Sequence, residues 1–94
     1  LVSEGAAHFP DAVTTRGRKH LVELETLLSA DTRCVIFFLV QRMDANAFYP
    51  ADRIDPEYGK ALRQARDSGV EIIVYDVKIS LEEIVLNNTL PYYL

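Results

Sequence analysis

"CVIFFLV", residues Cys34–Val40, places seven apolar residues in a row, most of them β-branched or aromatic. The run is too short for a typical helix, and its unbroken hydrophobicity predicts a central strand covered on both faces. It ends abruptly in Gln41-Arg42-Met43-Asp44. A second strand is predicted for "VEIIVYDVKI", Val70–Ile79. Between the two, Asp55-Pro56-Glu57 supplies an N-cap, a proline at the first helical position and an acidic first turn. Tyr58, Ala61, Leu62 and Ala65 then share one helical face, and Gly69 stops the helix. Strand, helix and strand within about 45 residues predict a βαβ unit, with parallel strands and a right-handed crossover.

Outward from that unit the pattern is less regular. Upstream, Thr14 is a fair N-cap, and Gly17, Leu21, Leu24 and Leu28 define a helical face that should end near Ala30-Asp31. Leu1-Val2 reads as the end of a strand, followed by a turn at Ser3-Glu4-Gly5, an extended piece through Phe9 and a break at Pro10-Asp11. The segment carrying Phe48, Tyr49 and Pro50 reads as a loop. Beyond the second strand, Ser80 and Glu83 fit a capping box, and Asn87-Asn88 reads as a turn before a tail with Tyr92 and Tyr93. No repeat or internal boundary divides residues 1–94, so the expectation is one α/β domain with two main helices.

Composition narrows the function classes. The chain has 94 residues, 49% hydrophobic and 26% charged, the profile of a globular domain with a modest core. Its first residues read as mid-sequence, which suggests a cut fragment. The net charge of −4 gives no global attraction to nucleic acid or anionic membranes. Cys34 is the single cysteine, so no internal disulfide forms, no zinc pattern surrounds it, and a reducing cytoplasm is expected. The longest apolar run is far too short to span a bilayer.

The distribution of charge says more than its sum. "TTRGRKHLVEL", Thr14–Leu24, opens a helix with Arg16, Arg18 and Lys19, where the helix dipole disfavours cations. Free backbone N–H groups at a helix start attract anions, and added cations would make a phosphate-binding spot there. The alternative is that Arg16 and Lys19 pair with Asp11, Glu23 or another surface carboxylate. Gly17 leaves room for a ligand or a neighbouring strand to approach. Gln41 and Arg42 stand at the carboxyl end of the buried strand, the edge where α/β sheets usually bind ligands.

Catalytic signals are poor. Pro10-Asp11 and Asp76-Val77-Lys78 spell the residue types of a metal-dependent nuclease site, but the halves are far apart in sequence and such short matches recur by chance. Asp76 and Lys78 are expected on the solvent side of a strand end. His8, His20 and Cys34 do not have metal-ligand spacing, with His20 instead bordering the basic triplet. No nucleophile elbow, P-loop or dinucleotide fingerprint is present. No catalytic residue and no metal ligand is therefore assigned in this segment.

Three stretches carry a family resemblance: "FPDAVTTRGRKHLVEL" (Phe9–Leu24), "VQRMDANAFYP" (Val40–Pro50) and "IDPEY" (Ile54–Tyr58). In order and spacing they resemble the C-terminal part of the sugar fermentation stimulation protein A (SfsA) family, and the likeness covers essentially the whole chain. The resemblance implies a bacterial or archaeal cytoplasmic protein more than twice this length. It also implies an N-terminal OB-like domain followed by a PD-(D/E)xK nuclease-like domain, of which this chain is the last part. The E-x-K strand of that fold would immediately precede Leu1, leaving a truncated N-terminal strand region. DNA is the implied partner, with a role in regulating sugar, notably maltose, metabolism. Mg²⁺ would be a cofactor of the full-length protein if it is a nuclease, with ligands upstream of this segment. Phosphate contacts are expected from Arg16, Lys19 and Gln41, with Arg18, His20 and Arg42 behind them. The remaining alternative is a regulatory domain that docks a protein partner. An exposed sheet edge left by truncation would favour a homodimer.

Overall fold

The computed structural model describes residues 2–3, 5–40, 45–79 and 84–94. Helix α1 (Thr15–Leu27) starts where predicted: the Thr14 hydroxyl accepts the Gly17 N–H at 3.0 Å. It ends before Ala30-Asp31, because Leu28 leaves the helical conformation with ψ of 135° and Ser29 pairs with Thr32 instead. Helix α2 (Pro56–Ser68) has the predicted cap, proline and acidic first turn, and Gly69 ends it in the left-handed region at φ 113°. Tyr58, Ala61, Leu62 and Ala65 are buried on its inner face.

Strands β3 (Val35–Val40) and β5 (Glu71–Ile79) pair in parallel on either side of α2 in sequence, with Val35 opposite Glu71 and Val40 opposite Asp76. This is the predicted βαβ unit. The expectation that Cys34–Val40 is a central strand covered on both faces is corrected. β3 stands at the outer position of a sheet ordered β3-β5-β6. Its Ile36, Phe38 and Val40 join the core with Leu21, Leu24 and Leu28 of α1 and Leu62 of α2. Val35, Phe37 and Leu39 point away and are 41%, 47% and 45% exposed. The helices cover one face of this sheet; on the other, the Phe37 ring stacks on that of Tyr75 at 5.6 Å and the stripe stays partly exposed.

β6 (Ile84–Thr89) runs antiparallel to β5, with a register shift between Tyr75 and Val77. The shift explains two corrections. Asn87-Asn88 lies within this strand, not in a turn, and Asp76 is buried at 4% exposure, not on the solvent side. One Asp76 oxygen accepts the Asn88 N–H at 2.8 Å, and the other lies 3.4 Å from the Asn87 side-chain amide. A carboxylate in the ladder thus satisfies a donor that the bulge takes out of strand pairing. The capping box expected at Ser80–Glu83 falls outside the described residues.

A second sheet, ordered β1-β2-β4, is built by β1 (Val2–Ser3), β2 (Ala6–Phe9) and β4 (Ala47–Pro50). β1 and β2 pair as a hairpin, with Gly5 at φ 82°; Ser3, expected in the turn, pairs with Ala6 in the ladder. β4 corrects the loop expected at Phe48–Pro50: it pairs in parallel with β2 from Ala6 opposite Ala47 to Phe9 opposite Pro50. Pro50 is tolerated because β4 is the edge of this sheet and the next residue carries the ladder on, the Ala51 N–H donating to the Phe9 carbonyl at 2.7 Å. Phe48 drives the pairing from the core side, 2% exposed, with its ring 4.6 Å from that of Phe38. That contact joins the two sheets through the core.

Candidate functional site

The two helices begin side by side, and one side chain ties their starts together. Asp55 caps α2 by accepting the Tyr58 N–H at 2.9 Å, and its other oxygen accepts the Thr14 N–H, the cap residue of α1, at 2.8 Å. The N–H groups of Thr14 and then Tyr58 hold the Asp55 carboxyl below the usual carboxylate range, assisted by the Arg18 charge. Burial, and then the Asp55 carboxylate, push the Tyr58 phenol up to about 12, so it stays protonated at neutral pH. A Cβ at Gly17 would lie 3.0 Å from Cε1 of Tyr58. The neighbour that Gly17 admits is therefore the Tyr58 ring of α2.

The basic triplet divides. Arg18 leans toward α2, with Nη1 4.0 Å from Oε2 of Glu57. Both side chains are substantially exposed, so the pair contributes less than about 1 kcal/mol. Arg16 and Lys19 are exposed, and neither makes an ion pair with a described residue, Asp11 and Glu23 included. Two cations therefore stand at a helix start that disfavours them.

A cleft of about 620 Å³ opens beside this helix start, between β2 and β3. Its wall includes Phe9, Asp11, Gly17, His20, Phe37 and Val40. Phe9 and Val40 are the last residues of β2 and β3, so the cleft reaches the carboxyl ends of both strands. Of the predicted contact residues, His20 lines this cleft. Arg16 lies on the exposed surface of the first turn of α1 and Lys19 at the start of the second, and Arg18 is engaged with Glu57. Gln41 and Arg42 lie outside the described residues, directly after Val40.

The sequence reading missed two parts of this arrangement. Asp11 was set aside with the scattered nuclease motif, yet it stands on the cleft wall. The Asp55–Thr14 link spans 41 residues and leaves no local signal. Asp76, the other half of that motif, is occupied by the β5–β6 bulge. His8, Asp11 and His20 are the metal-ligating types on the cleft wall, and no group of three His, Cys, Asp or Glu able to hold a metal ion occurs among the described residues. On the outer face of the β2–β4 sheet, the rings of His8, Tyr49 and Tyr93 are stacked at successive centroid separations of 5.5 Å. A second hollow of about 640 Å³ next to His8 and Tyr49 is bordered by Arg53.

Fold and site define an α/β domain that presents a basic helix start at the carboxyl ends of its strands. The chain belongs to the sugar fermentation stimulation protein family: residues 1–83 match the family's "Sugar fermentation stimulation protein RE domain". It is 55% identical over 94 residues to a sugar fermentation stimulation protein homolog of Pelobacter propionicus, covering 100% of this chain and 41% of that protein. A homolog from Geobacter sulfurreducens is 54% identical over 91 residues, covering 97% of this chain and 39% of that one. The chain thus spans about 40% of the length of these relatives and corresponds to their C-terminal part. A solved structure of Pyrococcus furiosus SfsA in complex with Ca²⁺ superposes with a TM-score of 0.91 at 28% identity, covering 100% of this chain and 41% of that one. The nuclease-like α/β fold expected for this segment is therefore the fold observed.

Proposed function

We propose that this domain is a nucleic-acid-binding module, with phosphates held at the start of α1. The observation that carries the reading is the pair of exposed cations, Arg16 and Lys19, without ion-pair partners among the described residues, at a helix start beside a cleft. Helix N–H groups and cations both favour phosphate, and neither reads sequence, so binding is salt-dependent with little base selectivity. His20 stands on the cleft wall to contact the same anion, and Gln41 and Arg42 follow Val40 at the strand end. Arg18 steadies the helix pair through Glu57. The stacked rings of His8, Tyr49 and Tyr93 support the reading, since bases stack on aromatic side chains. DNA is the partner the family resemblance favours. The relatives' name supports a role in regulating sugar metabolism, with maltose as the sugar the resemblance implies. A single buried thiol, Cys34, fits a reducing cytoplasm, and among the described residues no helix is long and apolar enough to cross a membrane.

A second reading is favoured by one observation. The Pyrococcus furiosus relative was solved with Ca²⁺, and Asp11 stands on the cleft wall here. On this reading the full-length protein is a Mg²⁺-dependent nuclease whose other ligands lie outside this chain. The metal would neutralise phosphate charge, while this chain's cations position the backbone.

Fluorescence anisotropy of labelled DNA against salt tests the first reading. Changing Arg16 and Lys19 to alanine together should flatten the salt slope by roughly two, about one per lost phosphate contact. An unchanged slope would remove the start of α1 from the interface. Cleavage of DNA by a full-length relative, dependent on added Mg²⁺, would favour the second reading.

A further inference from the structure

The row of rings on the outer face of the β2–β4 sheet is not part of the core. His8 and Tyr49 are half-buried, Tyr93 is 55% exposed, and the core ring of β4 is the neighbouring Phe48 on the opposite face. The planes of His8 and Tyr49 lie 24° apart and those of Tyr49 and Tyr93 29° apart, an offset-stacked arrangement. The tail that carries Tyr93 is fastened to β4, with the Tyr93 N–H donating to the Phe48 carbonyl at 2.9 Å. Against the first two rings opens the hollow of about 640 Å³, whose remaining lining is Pro50 and the turn Ala51–Ile54.

Charge points to the occupant. Asp52 on the turn is held by both Nη atoms of Arg63, at 3.0 and 2.6 Å. Arg53 beside it is exposed and makes no ion pair with a described residue. The uncompensated charge on the hollow is therefore positive. The turn is also fixed in place: the Ala51 carbonyl accepts the N–H groups of Ile54 at 3.0 Å and Asp55 at 2.9 Å. Asp55 in turn accepts the Thr14 N–H, so the turn and the start of α1 share one brace. His8 lines both the hollow and the cleft beside that helix start. The two cavities thus adjoin, each with unpaired cations at its border.

We propose that the hollow takes one unpaired nucleobase of a nucleic-acid strand, set against His8 and Tyr49, with an adjoining phosphate on Arg53. The inference rests on the nucleic-acid reading above and adds the kind of strand the domain prefers. Every base has a π-face, so a ring platform accepts bases without regard to sequence. A base inside a duplex is paired and stacked on its neighbours, and it reaches the hollow only by being extruded, a cost that an unpaired base does not bear. Single strands and unpaired duplex ends are therefore the ligands this surface selects. Neighbouring phosphates of the same strand lie at the start of α1.

The test is fluorescence anisotropy of the full-length protein with two labelled DNAs of one sequence, a single strand and its blunt duplex, across a salt series. Tyr49→Val removes the ring and keeps a strand-forming residue. It should weaken single-strand binding by about fivefold or more and duplex binding by less than about twofold. Arg53→Gln changes an exposed side chain without an ion pair, so the fold is retained. It should reduce the salt slope for the single strand by roughly 0.7, one phosphate contact, and leave the duplex slope unchanged. Losses that fall equally on both DNAs, or no loss in either variant, would overturn the base subsite and leave the phosphate site at α1 standing. Binding of neither DNA by the unaltered protein would overturn both, and the ring row would then serve a protein partner.

Discussion

Gly17→Ala separates two uses of an empty position. In an ordinary helix the change stabilises by up to about 1 kcal/mol, because glycine is the poorer helix former. Here the new Cβ would sit 3.0 Å from Cε1 of Tyr58, and as close to the Thr14 side chain. Carbon atoms prefer roughly 3.5–4.0 Å, so the ring or the helix must shift. Tyr58 is 2% exposed and its ring packs edge-on to Phe9 at 5.4 Å, which leaves it little room. Overpacking of this kind costs about 1–3 kcal/mol, so the net expectation is a loss of about 1 kcal/mol. For a domain of this size that lowers Tm by about 5 °C. Thermal unfolding followed by circular dichroism measures it. In a Tyr58→Leu background, where Cε1 is gone and the Thr14 contact remains, the same change should cost clearly less. A rise in Tm for Gly17→Ala in the unaltered background would refute the packing argument and return Gly17 to the role of leaving space for a ligand.

Three further outcomes follow from the same contacts. Asp76→Ala leaves the Asn88 N–H without its acceptor in a part-buried position at the sheet edge and should cost about 1 kcal/mol in urea unfolding, with Asp76→Asn recovering part of the loss. A stability unchanged within error would mean the bulge is held by other contacts. Asp55 has a folded pKa lowered below its unfolded value of about 4, so its stabilisation is present above about pH 4 and is lost as pH falls through the folded value. Asp55→Asn should therefore be less stable than the parent at neutral pH, the gap closing on acidification. A gap independent of pH would contradict this. The exposed Arg63–Asp52 pair, 2.6 Å at its shortest, should give a coupling below about 1 kcal/mol in a double-mutant cycle, shrinking with salt.

How much of this was legible depended on how local each cause was. The α2 start is written in three adjacent residues, Asp55-Pro56-Glu57, and it formed as read. The parallel pairing of Val35–Val40 with Glu71–Ile79 followed from two apolar runs around a helix. What failed was non-local. Phe48–Pro50 looked like a loop because a proline ends it, and only the parallel partner Ala6–Phe9 makes it a strand. Asn87-Asn88 has turn composition, but a buried Asp76 across the ladder holds it extended. Cys34–Val40 has the composition of a doubly covered strand, and half of that cover is missing among the described residues. At the site, the unusual charges of Arg16 and Lys19 were visible at once. Their lack of partners, the tie from Asp55 to Thr14, and the place of Asp11 in the cleft needed the fold.

The most direct test of the central claim is an amide chemical-shift titration of the domain with a short DNA duplex at low salt. Binding at the start of α1 predicts the largest shifts at Thr15–His20 and along the cleft wall at Phe9, Asp11 and Val40. The C-terminal half of α2, Arg63–Ser68, should stay unmoved. Shifts confined to another surface, or none at a DNA concentration where the full-length protein binds, would contradict the account.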